Sequence, residues 1–229
     1  MRETLTHAIE DYLKAIYLIQ TAQDGRAATN QLAEYLNLTP ASVTGMIQKL
    51  ATTQPPLVEY QKHRGVSLTP AGEKIALEIV RHHRLLELYL HQMLGYDWDT
   101  VHAEADRLEH VISEEFEERI AQALGDPSHD PHGDPIPTRD LTLPQSPTTR
   151  LSDLHAKQRA IVHRVRDTDP ELLRYLSEIG LVPQATITVL EVSPYDDNLR
   201  LQLPNETAII LGPRITRQIF VEILENASH

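Results

Sequence analysis

Cysteine is absent from the 229 residues, which excludes disulfides, thiolate metal sites and cysteine nucleophiles. No apolar run approaches the ~18 residues that suggest a membrane span. The opening MRETLTHAIEDYL has no basic segment followed by an apolar one, so no signal peptide is read there and a cytoplasmic protein is expected. Internal repeats, a low-complexity tail, a Gly-rich phosphate loop and a Ser or Thr nucleophile motif are also missing. The apolar content of 41% and charged content of 24% are ordinary for a folded chain.

Basic charge is in deficit, and unevenly so. The net charge is −12, which argues against a uniformly basic nucleic-acid binder. Residues 1–72 carry six Lys/Arg and six Asp/Glu, residues 73–140 six and sixteen, and residues 141–229 nine and eleven. Seven of the twelve His also fall within 73–140. Acid and imidazole concentrated together point to a cation site in the middle, with an anion-tolerant segment in front. The plainer reading of the middle is a solvated acidic helix pair.

Apolar residues Leu5, Ile9, Tyr12, Leu13, Ile16 and Ile19 follow one helix face. A short helix fits Asn30–Leu36. After two residues, Thr39-Pro40 opens a third helix with Val43, Ile47 and Leu50 inward. Two β-prone runs, Leu57–Tyr60 and Val66–Leu68, bracket a basic tip. Residues 1–72 therefore read as a winged helix-turn-helix that lays its second reading-head helix in the major groove. The exposed face of that helix carries Thr39, Ala41, Ser42, Thr44, Gly45 and Gln48, able to approach base edges. Lys49, Lys62, His63 and Arg64 are placed to neutralise phosphates. No Arg lies on the reading face, so shape and methyl readout are expected to outweigh bidentate guanine contacts.

A long helix is expected from Pro70 to about Leu94, then helical segments at Asp99–Ile112 and Glu114–Leu124. Six prolines in Gly125–Pro147 mark a linker. Short strands at Ala160–Val165, Thr186–Val192, Leu199–Leu203 and Ala208–Leu211, with one helix at Glu171–Ile179, suggest a small β-barrel. On an unbroken helix His102, Asp106, Glu109 and His110 would share a stripe about 100° wide. His83 and Glu87 form a second i, i+4 pair. Acidic side chains on an inward stripe are costly unless a cation neutralises them, which favours a metal over the solvated face.

Asp11-Tyr12-Leu13 with Ile16-Tyr17, the run Arg81–Glu87, Val101–Asp106, Glu109-His110-Val111 and His132–Pro137 together resemble the diphtheria-toxin-repressor and manganese-transport-regulator family. The resemblance spans nearly the whole chain in order and spacing. It implies a mainly α chain with a little β: a winged helix-turn-helix at 1–72, a helical metal-binding and dimerisation domain at 73–140, a linker at 141–149, and an SH3-like, ferrous-transport-A-like domain at 150–229. It further implies a homodimer that binds operator DNA when Mn(II), or alternatively Fe(II), is present, with other divalent metals able to substitute in vitro. Repression of metal-uptake genes is the implied outcome. No membrane and no small organic substrate are expected among its partners.

Carried over by position, the regulatory site uses Asp11, His83, Asp106, Glu109 and His110. Asp11 lies on the first helix, so a metal there ties the DNA reader to the dimerisation helices. Iron-tuned members place sulfur ligands where this chain has Asp11 and Asp106, and hard carboxylates favour Mn(II). Members with a paired-metal site have Glu where this chain has Lys14, and a cation there repels a second metal. An ancillary site would use Glu87 and His102 with Asp130 and His132, from a linker motif that usually reads Cys-Pro-His-Gly, and with Asp169 or Glu171. The sequence leaves open which site takes His83 and which takes His102. Two rival functions remain: a winged-helix sensor of a small organic ligand, and a metal-dependent hydrolase.

Overall fold

The computed structural model describes residues 5–166 and 169–224. They group into two compact units, one comprising the chain up to His83 with 108–112 and 137–142, the other 84–107, 113–136 and 143 onward.

In the first unit, α1 (His7–Gln23) ends where Asp24 turns left-handed, with φ 50°. Ile9, Tyr12, Leu13 and Ile16 are buried along one side, as their spacing predicts. The next helices are α2 (Thr29–Tyr35) and α3 (Pro40–Ala51). Thr39 starts α3 by accepting a hydrogen bond from Ser42 N on its side chain, and Pro40 follows at the first helical position, where a missing N–H costs nothing. Val43, Ile47 and Leu50 are fully buried with Leu13, Ile16 and Leu32. Each such side chain stabilises the unit by roughly 1.5–3 kcal/mol. The wing is the antiparallel pair β1 (Val58–Gln61) and β2 (Gly65–Leu68), in register from Val58↔Leu68 to Gln61↔Gly65. Gly65, at φ +91°, backs onto Ala27, whose carbonyl oxygen a Cβ would strike. The helix α4 (Pro70–Leu94) begins in this unit.

The second unit holds the rest of α4, then α5 (Val101–Leu108) and α6 (Glu114–Ala123). Its sheet is antiparallel, ordered β6-β5-β4-β3-β7. The strands are β3 (Arg159–Val165), β4 (Thr186–Val192), β5 (Leu199–Gln202), β6 (Ala208–Leu211) and β7 (Ile219–Leu224). Val162, Ile187, Val189, Leu201 and Val221 share one core with Leu173 and Leu176 of α7 (Pro170–Glu178) and with Trp98. A short helix, α8 (Pro213–Thr216), precedes β7.

Two features differ from the sequence reading, and a third agrees with it. The segment expected to be helical from 99 to 112 stops at Leu108, because Val111 N reaches back three residues to Leu108 O and Ser113 caps the next helix through Phe116 N. Glu109 and His110 therefore sit in a turn rather than on a helical stripe. β7 and α8 were not anticipated. No regular helix or strand is assigned within 125–147, in keeping with its prolines, although Asp130, His132 and Asp134 there are buried.

Candidate metal centres and DNA-reading face

In the first unit the turn at 109–110 meets α1. His110 Nε2 is 2.9 Å from Asp11 Oδ1 and 3.4 Å from Glu109 Oε1. One ligand atom from each of these three residues lies within 4.8 Å of the others. His110 Nδ1 donates to Glu10 Oε2 at 2.7 Å, and His7 stacks on the imidazole with centroids 4.9 Å apart. Burial would lower the pKa of His110. Hydrogen bonds to Asp11 and Glu10 and the charge of Glu109 outweigh it and raise the group to about 9, so in the metal-free protein both ring nitrogens carry protons toward carboxylates.

Glu109 faces two ways. Its Oε2 accepts from Lys14 Nζ at 2.6 Å and lies 2.5 Å from His83 Nδ1. Lys14 Nζ is also 3.0 Å from that His83 nitrogen. Burial pushes the Glu109 carboxyl up, but the His83 hydrogen bond and the Lys14 ammonium prevail and hold it below its ordinary value. His82 Nδ1 lies 3.0 Å from the Glu109 carbonyl oxygen, which fixes the turn that carries both ligands.

The second unit holds the other cluster. Glu87 and His132 are fully enclosed and Asp130 nearly so, and one ligand atom from each lies within 4.8 Å of the others. His132 Nε2 is 2.9 Å from the Trp98 carbonyl oxygen, which aims Nδ1 at Glu87 Oε2, 3.8 Å away. Such a carbonyl contact fixes the tautomer of a metal-binding His. Glu87 Oε1 is 2.8 Å from His102 Nδ1. Asp130 Oδ1 accepts from His132 N and Asp134 N, while Oδ2 is buried, has no hydrogen-bond partner among the described residues and lies 3.7 Å from Arg84 Nε. Burial, then the charges of Asp134 and Glu87, raise the Asp130 carboxyl well above its ordinary range. Two enclosed carboxylates and an oriented imidazole, with one carboxylate oxygen that accepts no hydrogen bond from the described residues, fit a hard divalent cation.

The remaining expected ligands are placed otherwise. Asp106 lies on α5 in the second unit, with Oδ2 3.6 Å from His102 Nε2. Asp169 and Glu171 do not join the Glu87 group. Asp169 Oδ1 caps α7 by accepting from Glu171 N and Leu172 N, the ordinary work of an Asp before a helix-opening Pro, and Glu171 is exposed in the first turn. Glu10 was missed by the sequence reading. Its signal was its place, adjacent to Asp11 and one turn from Lys14 on a buried helix.

On the reading head Thr39, Ala41, Ser42, Gly45, Gln48 and Lys49 are exposed. Thr44 is half-buried and donates its hydroxyl proton to the Pro40 carbonyl at 2.8 Å, leaving an acceptor and a methyl group. Lys62, His63 and Arg64 form the exposed wing tip, with His63 left-handed at φ 64°.

Residues 4–66 match the family described as the iron dependent repressor N-terminal DNA binding domain, 69–138 its metal binding and dimerisation domain, and 149–223 the FeoA domain. The iron-dependent repressor IdeR of Mycobacterium leprae is 30% identical over 95% of this chain and 98% of its own length. The chain belongs to the iron-dependent repressor family. This repressor is also similar to a manganese-dependent transcriptional repressor whose structure is known in complex with manganese: 36% identity, 94% of this chain and 99% of the other, TM-score 0.85. The HTH-type transcriptional regulator MntR of Lysinibacillus sphaericus is 38% identical over 52% of this chain and 83% of its own. The architecture is the one expected, a winged helix-turn-helix, a helical dimerisation domain and an SH3-like sheet. The repressor is a metal-dependent DNA-binding transcriptional regulator of a family that binds operator DNA and dimerises, and the hydrolase reading falls with that assignment.

Proposed function

We propose that operator binding by this repressor is switched on by one divalent cation, Mn(II) in preference to Fe(II), held by Asp11, Glu109 and His110. The observation that carries this reading is the convergence of Asp11 on α1 with Glu109 and His110 on the turn after α5. A bound divalent ion supplies positive charge to carboxylates that otherwise repel. Asp11 then ties α1, and with it the reading head, to the turn at 109–110. Glu10 orients His110 from the far side of the ring, and Lys14 balances the second oxygen of Glu109. In a homodimer, holding both α1 helices narrows the separations of the two α3 helices to those that match two half-sites.

The Glu87, His102, Asp130 and His132 group supports an ancillary cation site that steadies the linker. Oxygen donors in place of sulfur favour Mn(II). Domain limits at 1–72, 73–140 and 150–229, a cytoplasmic location, and metal-uptake genes as targets complete this reading.

Operator binding measured with Mn(II) and with chelator, for the wild type and Asp11→Ala, tests it. The wild type gains about 100-fold on metal addition, a coupling of about 2.7 kcal/mol. Asp11→Ala stays folded and dimeric and loses most of that gain. Metal-stimulated affinity unchanged in the variant overturns the tether, and operator binding that survives chelation favours a small organic effector.

A further inference from the structure

Trp98 lies between α4 and α5, in the stretch that matches the metal binding and dimerisation domain. Its ring is nevertheless buried in the core of the FeoA domain, with Leu151, Leu154, Leu173 and Leu176. From there it meets the loop that carries Asp130 and His132. The indole Nε1–H donates to the Pro131 carbonyl oxygen at 3.0 Å, and a buried indole N–H needs such a partner. The main-chain carbonyl oxygen of Trp98 is 2.9 Å from His132 Nε2, and the indole and imidazole centroids are 5.2 Å apart. The next residue, Asp99, accepts through Oδ2 from Arg174 Nε (3.0 Å) and Nη2 (2.8 Å) of α7. The far side of the loop rests on β3. Val165 N donates to the His132 carbonyl oxygen at 2.9 Å, and Arg164 Nη1 donates to Asp134 Oδ1 at 3.0 Å.

We infer that Trp98 is the positioning residue through which the FeoA domain shapes the Glu87 group: its indole and carbonyl hold Pro131 and His132, its ring is seated in the FeoA core, and an ion at Glu87, Asp130 and His132 stabilises the docking of that domain. The inference rests on the ancillary reading above and adds the residue that joins that site to the sheet. The grouped donors among the described residues come from α4 and the loop, and Trp98 acts on them by packing and hydrogen bonds. Groups that orient a metal-binding imidazole typically set metal affinity by about 10–100-fold. Linkage makes the effect reciprocal, because whatever the docked domain adds to ion affinity, the ion adds to docking.

Two measurements on the full-length protein test it. The first is hydrogen exchange of the peptide spanning β3, read by mass spectrometry, and it leaves Trp98 untouched. With Mn(II) at about 100 times its dissociation constant, exchange in wild-type β3 slows by about tenfold or more, toward the roughly 100-fold limit that linkage sets. In Glu87→Gln it does not slow. Exchange that ignores Mn(II) in the wild type, or slows equally in Glu87→Gln, overturns the inference. The second is Mn(II) affinity by equilibrium dialysis in an Asp11→Ala background, which leaves the Glu87 group as the remaining seat. There Trp98→Phe keeps a ring in the core, removes the N–H and weakens binding by about tenfold or more, with circular dichroism and dimer mass as folding controls. Equal affinity in the folded variant overturns the inference. Glu87→Gln in the same background separates the two ideas. If it loses the ion while Trp98→Phe binds like its parent, the positioning role falls and the ancillary site stands. If it too binds like its parent, the ancillary reading falls and takes the inference with it.

Discussion

His110 and Asp11 stand 99 positions apart in the chain, yet Nε2 of one is 2.9 Å from Oδ1 of the other. In the metal-free protein that contact is an imidazolium–carboxylate pair. A divalent ion seated there must displace the Nε2 proton, because only the neutral ring nitrogen is a ligand.

That exchange gives a pH prediction. The His110 pKa is raised to about 9 from an unfolded value of 6.5. Its stabilising contribution is therefore complete below pH 6.5 and is lost as pH rises through about 9. The Tm of chelated protein should fall across that window, and His110→Gln should flatten the fall. Mn(II) affinity should run the opposite way and increase with pH, as the proton ceases to compete.

At Asp130 it is the charged form that is the unfavourable one. Its carboxyl is raised by burial and by its acidic neighbours, so its charged form destabilises the metal-free fold at neutral pH. Asp130→Asn keeps the Oδ1 acceptor for His132 N and Asp134 N and removes the charge. Thermal melts with chelator should show the variant at least as stable as the wild type. Melts with Mn(II) should show a smaller metal-induced rise, and dialysis one fewer ion per protomer.

Gly133 lies at φ +87° against the carbonyl of His163, in space that a Cβ would need. Gly133→Ala should destabilise the protein by about 1–3 kcal/mol or more, read by urea unfolding, and should weaken ion uptake at the Glu87 group because His132 is adjacent.

The wing tip should act through phosphates alone. Lys62→Ala and Arg64→Ala should each weaken operator binding across all sequences. Each should also reduce the slope of log affinity against log salt by about 1, measured by fluorescence anisotropy from low to physiological salt. A Gln48→Ala variant should change sequence preference and leave that slope in place.

Much of the fold was legible in the sequence. Thr39-Pro40 announced α3, the 3,4 spacing announced the buried side of α1, and Ser113 announced α6, because caps and apolar periodicity are local. β7 was overlooked, although Ile219–Leu224 is dense in β-prone residues. The stripe argument found Glu109 and His110 for a partly mistaken reason. They converge because the chain leaves the helix at Leu108 and turns, which hydrogen bonds around the turn decide and periodicity does not show. Asp169 illustrates the reverse error: a carboxylate in a plausible place was already committed to a helix cap. Glu10 and the partners of Lys14 needed the tertiary structure, since nothing near position 14 in sequence reveals Glu109.

The most direct test is reciprocal. If metal and operator stabilise each other through Asp11, operator DNA must raise Mn(II) affinity by the same factor by which Mn(II) raises operator affinity. Calorimetric Mn(II) titration of the dimer, free and bound to operator, should show affinities differing by about that 100-fold in the wild type and nearly equal in Asp11→Ala. Wild-type Mn(II) affinity that is indifferent to operator would contradict the account.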